Sequence, residues 1–198
     1  MNDTPPAHAG HRQYLDRASL DRFAVACGLS VGDMPALGHW AWFCETPADA
    51  TLGADGHPLG REIAAPPGYP RRMFAGAEIA FHAPLAPERE AVLHSRLVDM
   101  AFREGRGGPL AIAHLARRIE QDGRTCITED RRIVYRAPGP AMALPPERNT
   151  GDWRPDPIAL FRFSAATFNS HRIHYDLPYA MAEEGYPERV VHGPFTAA

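Results

Sequence analysis

Three long stretches, residues 91–102, 110–121 and 125–135, restrict the fold of this chain more than any other feature. Each is long enough for an extended strand, and the separators between them are turn chemistry. Asp122-Gly123 is a two-residue hairpin signal, because both residues of such a turn take φ values that Asp and Gly tolerate. Gly105 to Gly108 separates the first stretch from the second. The spacing predicts an antiparallel meander.

Upstream, Ala77, Ile79 and Phe81 alternate with Glu78, Ala80 and His82, the pattern of a half-buried strand. Residues 40–44 read as a first strand, and the Gly- and Pro-rich run 52–70 as a loop. Residues 17–27 read as an amphipathic helix that packs on the sheet, with Ser19 as cap, Leu20, Phe23 and Ala24 as its apolar stripe and Gly28 as its stop.

Pro138, Pro140, Pro145, Pro146, Pro155 and Pro157 then impose too many ring constraints for a regular element. The expected division is a first domain over 1–137, a Pro-rich linker over 138–157 and the start of a second domain over 158–198. In that second unit, 158–163 reads as a strand and Ser164 as the cap of a short helical turn. Asp176-Leu177-Pro178 reads as the cap and first turn of a helix ended by Gly185, and 190–198 enters another helix. One strand alone cannot bury its face, so further strands are expected beyond Ala198 or from a partner.

Composition excludes more than it names. All 21 basic residues are Arg and the net charge is −3, which gives no overall footprint for nucleic acid. No run approaches the roughly 20 apolar residues that span a bilayer, and the N-terminus lacks an apolar signal core. No membrane partner and a cytoplasmic location are expected. Cys27, Cys44 and Cys126 are scattered, without a disulfide framework.

The chemistry concentrates in 161–176, FRFSAATFNSHRIHYD, and in Val190-Val191-His192-Gly193. His174 can exchange a proton near neutral pH and is the acid/base candidate. Asn169 offers an amide to position water or a carbonyl oxygen, but it is not a base. His192-Gly193-Pro194 reads as a helix start whose Gly193 N–H favours negative charge developing on oxygen. His171 suits either support of the site or simple loop polarity. His171, His174 and His192 carry nitrogens that zinc accepts, yet no carboxylate or Cys completes a persuasive spacing, so no metal is expected. Arg71 and Arg72 suit either solvated charge or the phosphates of a ligand. Trp40, Trp42 and Phe43 suit either core or the wall of an acyl pocket.

At these residues the sequence resembles the MaoC-like hydratases and dehydratases of the hot-dog fold. Within them it resembles the branch of mesaconyl-C4-CoA (3-methylfumaryl-CoA) and itaconyl-CoA hydratases and 3-hydroxyacyl-thioester dehydratases. The resemblance places His174 on the catalytic His, Asn169 where the wider family has a catalytic Asp, His171 on its Asn and Gly193 on the oxyanion-hole Gly. It extends through Gly38 to Phe43, 52–58, 70–76, 81–85, 104–110 and 133–136.

The resemblance implies an α+β double hot-dog fold, an antiparallel sheet wrapped on a helix, with the second hot dog incomplete. It implies a hydro-lyase that interconverts enoyl-CoA and 3-hydroxyacyl-CoA, with mesaconyl-C4-CoA or itaconyl-CoA giving citramalyl-CoA. CoA is then carried by the substrate, and no cofactor is expected. Arg71, Arg72 and Trp42 are the substrate-binding candidates. A homodimer, or a partner supplying the missing strands, follows from the same reading. A non-catalytic acyl-CoA-binding subunit and a hot-dog thioesterase are the alternatives; Asn169 in place of a carboxylate argues against the latter.

Overall fold

The computed structural model describes residues 10–32, 34–59, 63–105, 107–139 and 153–198. Five antiparallel strands form one sheet in the order β1-β3-β4-β5-β2: β1 His11–Tyr14, β2 Arg71–Phe81, β3 Glu90–Gly105, β4 Gly108–Gln121 and β5 Arg124–Arg136. The meander is as the turn residues predict. Asp122 and Gly123 take φ values of 51° and 73°, both positive, as a hairpin that follows the strand twist requires.

Alternation decides the two faces of the sheet. On β4, Ala111, Ala113, Leu115 and Ile119 are buried, and on β5 Ile127, Ile133 and Tyr135 oppose them. The residues between face the other side and are mixed, Ile112, Ala116 and Val134 beside His114, Asp130 and Arg132. There His114 lies 2.8 Å from Asp130 and 3.3 Å from Asp99.

Helix α1, Arg17–Ala26, buries Leu20, Phe23 and Ala24 as its stripe predicts. Its cap is Asp16 rather than Ser19: the Asp16 carboxylate accepts the Ser19 N–H at 2.7 Å. An Asp in extended backbone one residue ahead of the helix reaches the third free amide, which leaves Ser19 inside the first turn.

Two strand assignments change. Residues 40–44 are not a strand, since Gly38–Ala41 forms a 3-10 turn. The first strand is instead β1, only four residues long at the sheet edge. It lacks apolar alternation, and its register against β3 pairs His11 with Leu93. The segment after the linker is helix α2, Pro157–Ala166, where a strand was expected. Ile-Ala-Leu-Phe-Arg-Phe is too short and too apolar for its period to be read locally. The burial is helical: Leu160, Phe163 and Ser164 are inside, while Ile158 and Phe161 are 67% and 63% exposed. Asp156 accepts the Ala159 N–H at 2.8 Å and Pro157 occupies the first turn, so the local signals were those of a helix start. Ser164 therefore caps nothing.

Helix α3, Leu177–Ala182, and helix α4, Gly193–Ala197, follow. Leu160, Phe163 and Phe195 join Leu20, Phe23, Trp40 and Leu93 in one buried cluster, with Phe163 stacked on Phe195 at 4.5 Å. The segment after residue 156 thus buries its apolar side against α1 and the sheet, without any strand of its own among the described residues. The central part of the expected linker, 140–152, lies outside the described residues.

Candidate active site

The end of α2 sets the position of Asn169. After Thr167, Phe168 takes φ 50°, and the Asn169 N–H returns to the Ser164 carbonyl at 2.8 Å. This is a helix-ending motif that usually places glycine at the left-handed position. Phe holds it here at a cost, a form of strain found at functional sites. The chain then folds tightly, with the Asn169 Oδ1 accepting the His171 N–H at 3.0 Å.

The next residues dock on the 54–57 loop. Arg172 N–H donates to the Asp55 carbonyl at 2.8 Å, and Ser170 Oγ donates to the Gly56 carbonyl at 2.6 Å. Gly56 has φ +83°, and a Cβ there would collide with the Ser170 carbonyl, so only glycine permits the approach. This docking brings His57 onto His171, with ring centroids 4.4 Å apart. The sequence marks His57 only by its place in the 52–58 resemblance.

The four imidazoles form a continuous array. His171 meets His174 edge to face at 5.4 Å, and His174 stacks on His192 at 3.6 Å. His171, His174 and His192 are all buried. Burial pushes His174 down to about 4, partly opposed by its bond to the Val190 carbonyl. His171 falls to about 3 through burial, then through the neighbouring His174 and Arg72. Burial takes His192 to about 2, with His174 and His171 adding to it. His57 is also lowered, first by burial. All four rings are therefore neutral at pH 7.

One hydrogen bond fixes the tautomer of His174. Its Nδ1 lies 2.6 Å from the Val190 carbonyl oxygen. A carbonyl only accepts, so Nδ1 carries the proton and Nε2 keeps a lone pair. His192 Nε2 pairs with Ser164 Oγ at 2.8 Å, while its Nδ1 and the Nε2 of His171 are buried without partners. Among the described residues, no three His, Cys, Asp or Glu side chains are arranged to hold a metal ion.

The remaining predicted residues separate. Asn169, Trp42 and Arg72 line one cavity of about 380 Å³, together with His57. Arg71, the neighbour of Arg72 on β2, faces the other way, as strand alternation requires. Its guanidinium donates to the Glu183 carbonyl at 2.7 Å and pairs with Glu184 at 3.2 Å, tying β2 to the end of α3. Gly193 begins α4 against Phe74, where a Cβ would stand 2.6 Å from Phe74 Cδ1. Asp176 caps α3 by accepting the Tyr179 N–H at 3.2 Å and also pairs with Arg172 at 2.7 Å. It is structural.

Over 172 residues the chain is 47% identical to mesaconyl-C(4)-CoA hydratase of Chloroflexus aurantiacus, covering 83% of this chain and 61% of that protein. It is 34% identical over 89 residues to the mitochondrial hydroxyacyl-thioester dehydratase type 2 of Schizosaccharomyces pombe, covering 41% of this chain and 29% of that one. The chain thus spans less than two thirds of either relative.

Among solved structures, HtdX of Mycobacterium tuberculosis superposes with a TM-score of 0.64 at 18% identity, covering 94% of this chain and 73% of that one. A MaoC-like dehydratase from Phytophthora capsici gives 0.62 at 13% identity, covering 97% and 71%. These likenesses establish the α+β hot-dog fold expected from the sequence. Residues 37–198 match the family model of hydroxyacyl-thioester dehydratase type 2, and the chain belongs to that family.

Proposed function

We propose that the whole protein is a hydro-lyase that reversibly adds water across the α,β double bond of an enoyl-CoA thioester. Mesaconyl-C4-CoA, giving citramalyl-CoA, is the favoured substrate. The observation that carries this reading is the bond from His174 Nδ1 to the Val190 carbonyl, which leaves Nε2 as an unprotonated base. Both named relatives act on acyl thioesters, and the hydratase matches 83% of this chain.

In this reading His174 Nε2 takes a proton from water as the water oxygen bonds to the β carbon. The π electrons move to the thioester oxygen as an enolate, and the Gly193 N–H stabilises that oxygen. Gly193 is the first residue of α4, where backbone amides have no intrahelical acceptor. One such donor supplies about 3 to 4 kcal/mol of transition-state stabilisation in other enzymes. The proton then passes from His174 to the α carbon, so that H and OH are both added and the base is regenerated. Asn169 orients the water, and His171 supports the turn that holds Asn169 and His174.

An ultraviolet hydration assay on mesaconyl-C4-CoA with the full-length natural protein tests the proposal. Hydration should fall by about 10²- to 10⁴-fold in His174→Ala, the usual contribution of a general base. Release of free CoA thiol, from mesaconyl-C4-CoA or from a saturated acyl-CoA, would instead mark a thioesterase.

A further inference from the structure

The cavity beside Asn169 is walled by Trp42, Phe43 and Phe168, and such an apolar space suits a short acyl chain. Three guanidiniums also line it, those of Arg72, Arg117 and Arg131. Two of them are committed to Glu129, which is only 3% exposed: Arg131 at 2.8 Å and Arg117 at 3.4 Å. The Arg72 guanidinium forms no hydrogen bond or ion pair among the described residues. It is half-buried and close enough to lower the proton affinity of both His57 and His171. A positive group thus stands near these histidines in an aromatic pocket, with no ion-pair partner among the described residues.

We propose that Arg72 receives the free carboxylate of a dicarboxylic acyl thioester and so selects it over monocarboxylic enoyl thioesters. This rests on the hydratase reading above. In a mesaconyl-C4 thioester the second carboxylate is bonded to the β carbon, the atom that water attacks. Its counter-ion must therefore lie close to the reacting carbon, and of the guanidiniums in the cavity that Asn169 lines, Arg72 is the one not paired with Glu129. Arg fits this task because its planar fork meets a carboxylate with two parallel bonds. A monocarboxylic substrate would leave the guanidinium without that partner. Arg71 cannot substitute, since it is turned away and held by Glu183 and Glu184.

The test compares mesaconyl-C4-CoA with crotonyl-CoA on the full-length protein, as wild type, Arg72→Gln, Arg72→Lys and His174→Ala. Losing one partner of a desolvated charge pair should lower kcat/KM for mesaconyl-C4-CoA by about 100-fold or more in Arg72→Gln. Crotonyl-CoA should change by less than about threefold, because it presents no carboxylate to lose. Arg72→Lys keeps the charge without the fork and should recover part of the preference. Thermal unfolding of each variant separates misfolding from lost recognition, and if the Gln variant unfolds, the Lys variant carries the comparison. Equal losses on both substrates, as a ligand of the common CoA phosphates would give, overturn the assignment of Arg72 alone. Hydration of neither substrate by the wild type overturns the hydratase reading, and the Arg72 assignment with it.

Discussion

His174 and His192 lie ring on ring, with centroids 3.6 Å apart and planes 20° from parallel. Two imidazoles packed this way in a dry site cannot both take a proton without setting like charges against each other. The stack is closed from both sides, by the Val190 carbonyl on His174 and by Ser164 on His192. It joins the end of α2, the 171–176 turn and the start of α4 through side chains that stay neutral.

That neutrality makes stability depend on pH. An imidazole ordinarily takes its proton near 6.5, whereas in the fold His174, His171 and His192 do so at about 4, 3 and 2. Between these values and 6.5 the unfolded chain holds more protons than the folded one, so stability rises with pH there. It is fully present above 6.5 and declines on acidification, each ring adding up to about 1.4 kcal/mol per pH unit. Urea unfolding midpoints at pH 7.5, 6 and 5 should fall in that order. Equal midpoints would contradict the buried, neutral array.

His39 offers a simpler case. It is 2% exposed, neither ring nitrogen has a partner, and burial lowers it to about 4. Its neighbours are the rings of Trp40 and Phe81. Replacing an unsatisfied buried polar ring with an apolar one removes a desolvation penalty of about 1–3 kcal/mol. His39→Phe should hold or raise stability at pH 7 and reduce its loss at pH 5, as read by paired denaturant titrations. A destabilised variant at pH 7 would show that His39 has a polar role.

Gly193 separates packing from chemistry. Gly193→Ala keeps the backbone N–H but drives a methyl into Phe74. Overpacking of this kind costs about 1–3 kcal/mol. Thermal unfolding should show the loss in Gly193→Ala and a partial return when Phe74→Leu is added. Additive losses in the double variant would rule out a direct clash.

Asn169 combines a turn with a site. Its Oδ1 holds the His171 N–H at 3.0 Å. Asn169→Ala should cost about 0.5–1.5 kcal/mol for the lost bond, and Asn169→Asp, which keeps the acceptor, much less. If Asn169 orients water, the Ala variant of the full-length protein should also lose hydration by about 10²-fold, the usual effect of a misplaced reactant. Stability measured beside the assay distinguishes the two losses.

The cap of α1 is testable at two adjacent positions. Asp16→Ala removes the acceptor of the Ser19 N–H and should cost about 1 kcal/mol, whereas Ser19→Ala should cost a few tenths. A larger effect at Ser19 in chemical denaturation would restore it as the cap.

By itself the sequence determined what local chemistry can specify. Asp122-Gly123 dictates its hairpin through backbone φ values, and the long stretches on either side of it become β4 and β5. The His174 motif and the Gly193 helix start were legible for the same reason, since residue type and spacing carry them. Tertiary structure alone decided what depends on distant neighbours. The six apolar-rich residues from Ile158 fit strand or helix until Phe163 meets Phe23 and Phe195. The β1 edge exists only because Leu93 and its neighbours on β3 present free backbone groups to it. Arg71 and Arg72 are chemically identical in the sequence; the pleat of β2 sends one to Glu184 and the other into the cavity. The tautomer of His174 follows from a carbonyl sixteen residues away, and a bond closed across that distance is a property of the fold.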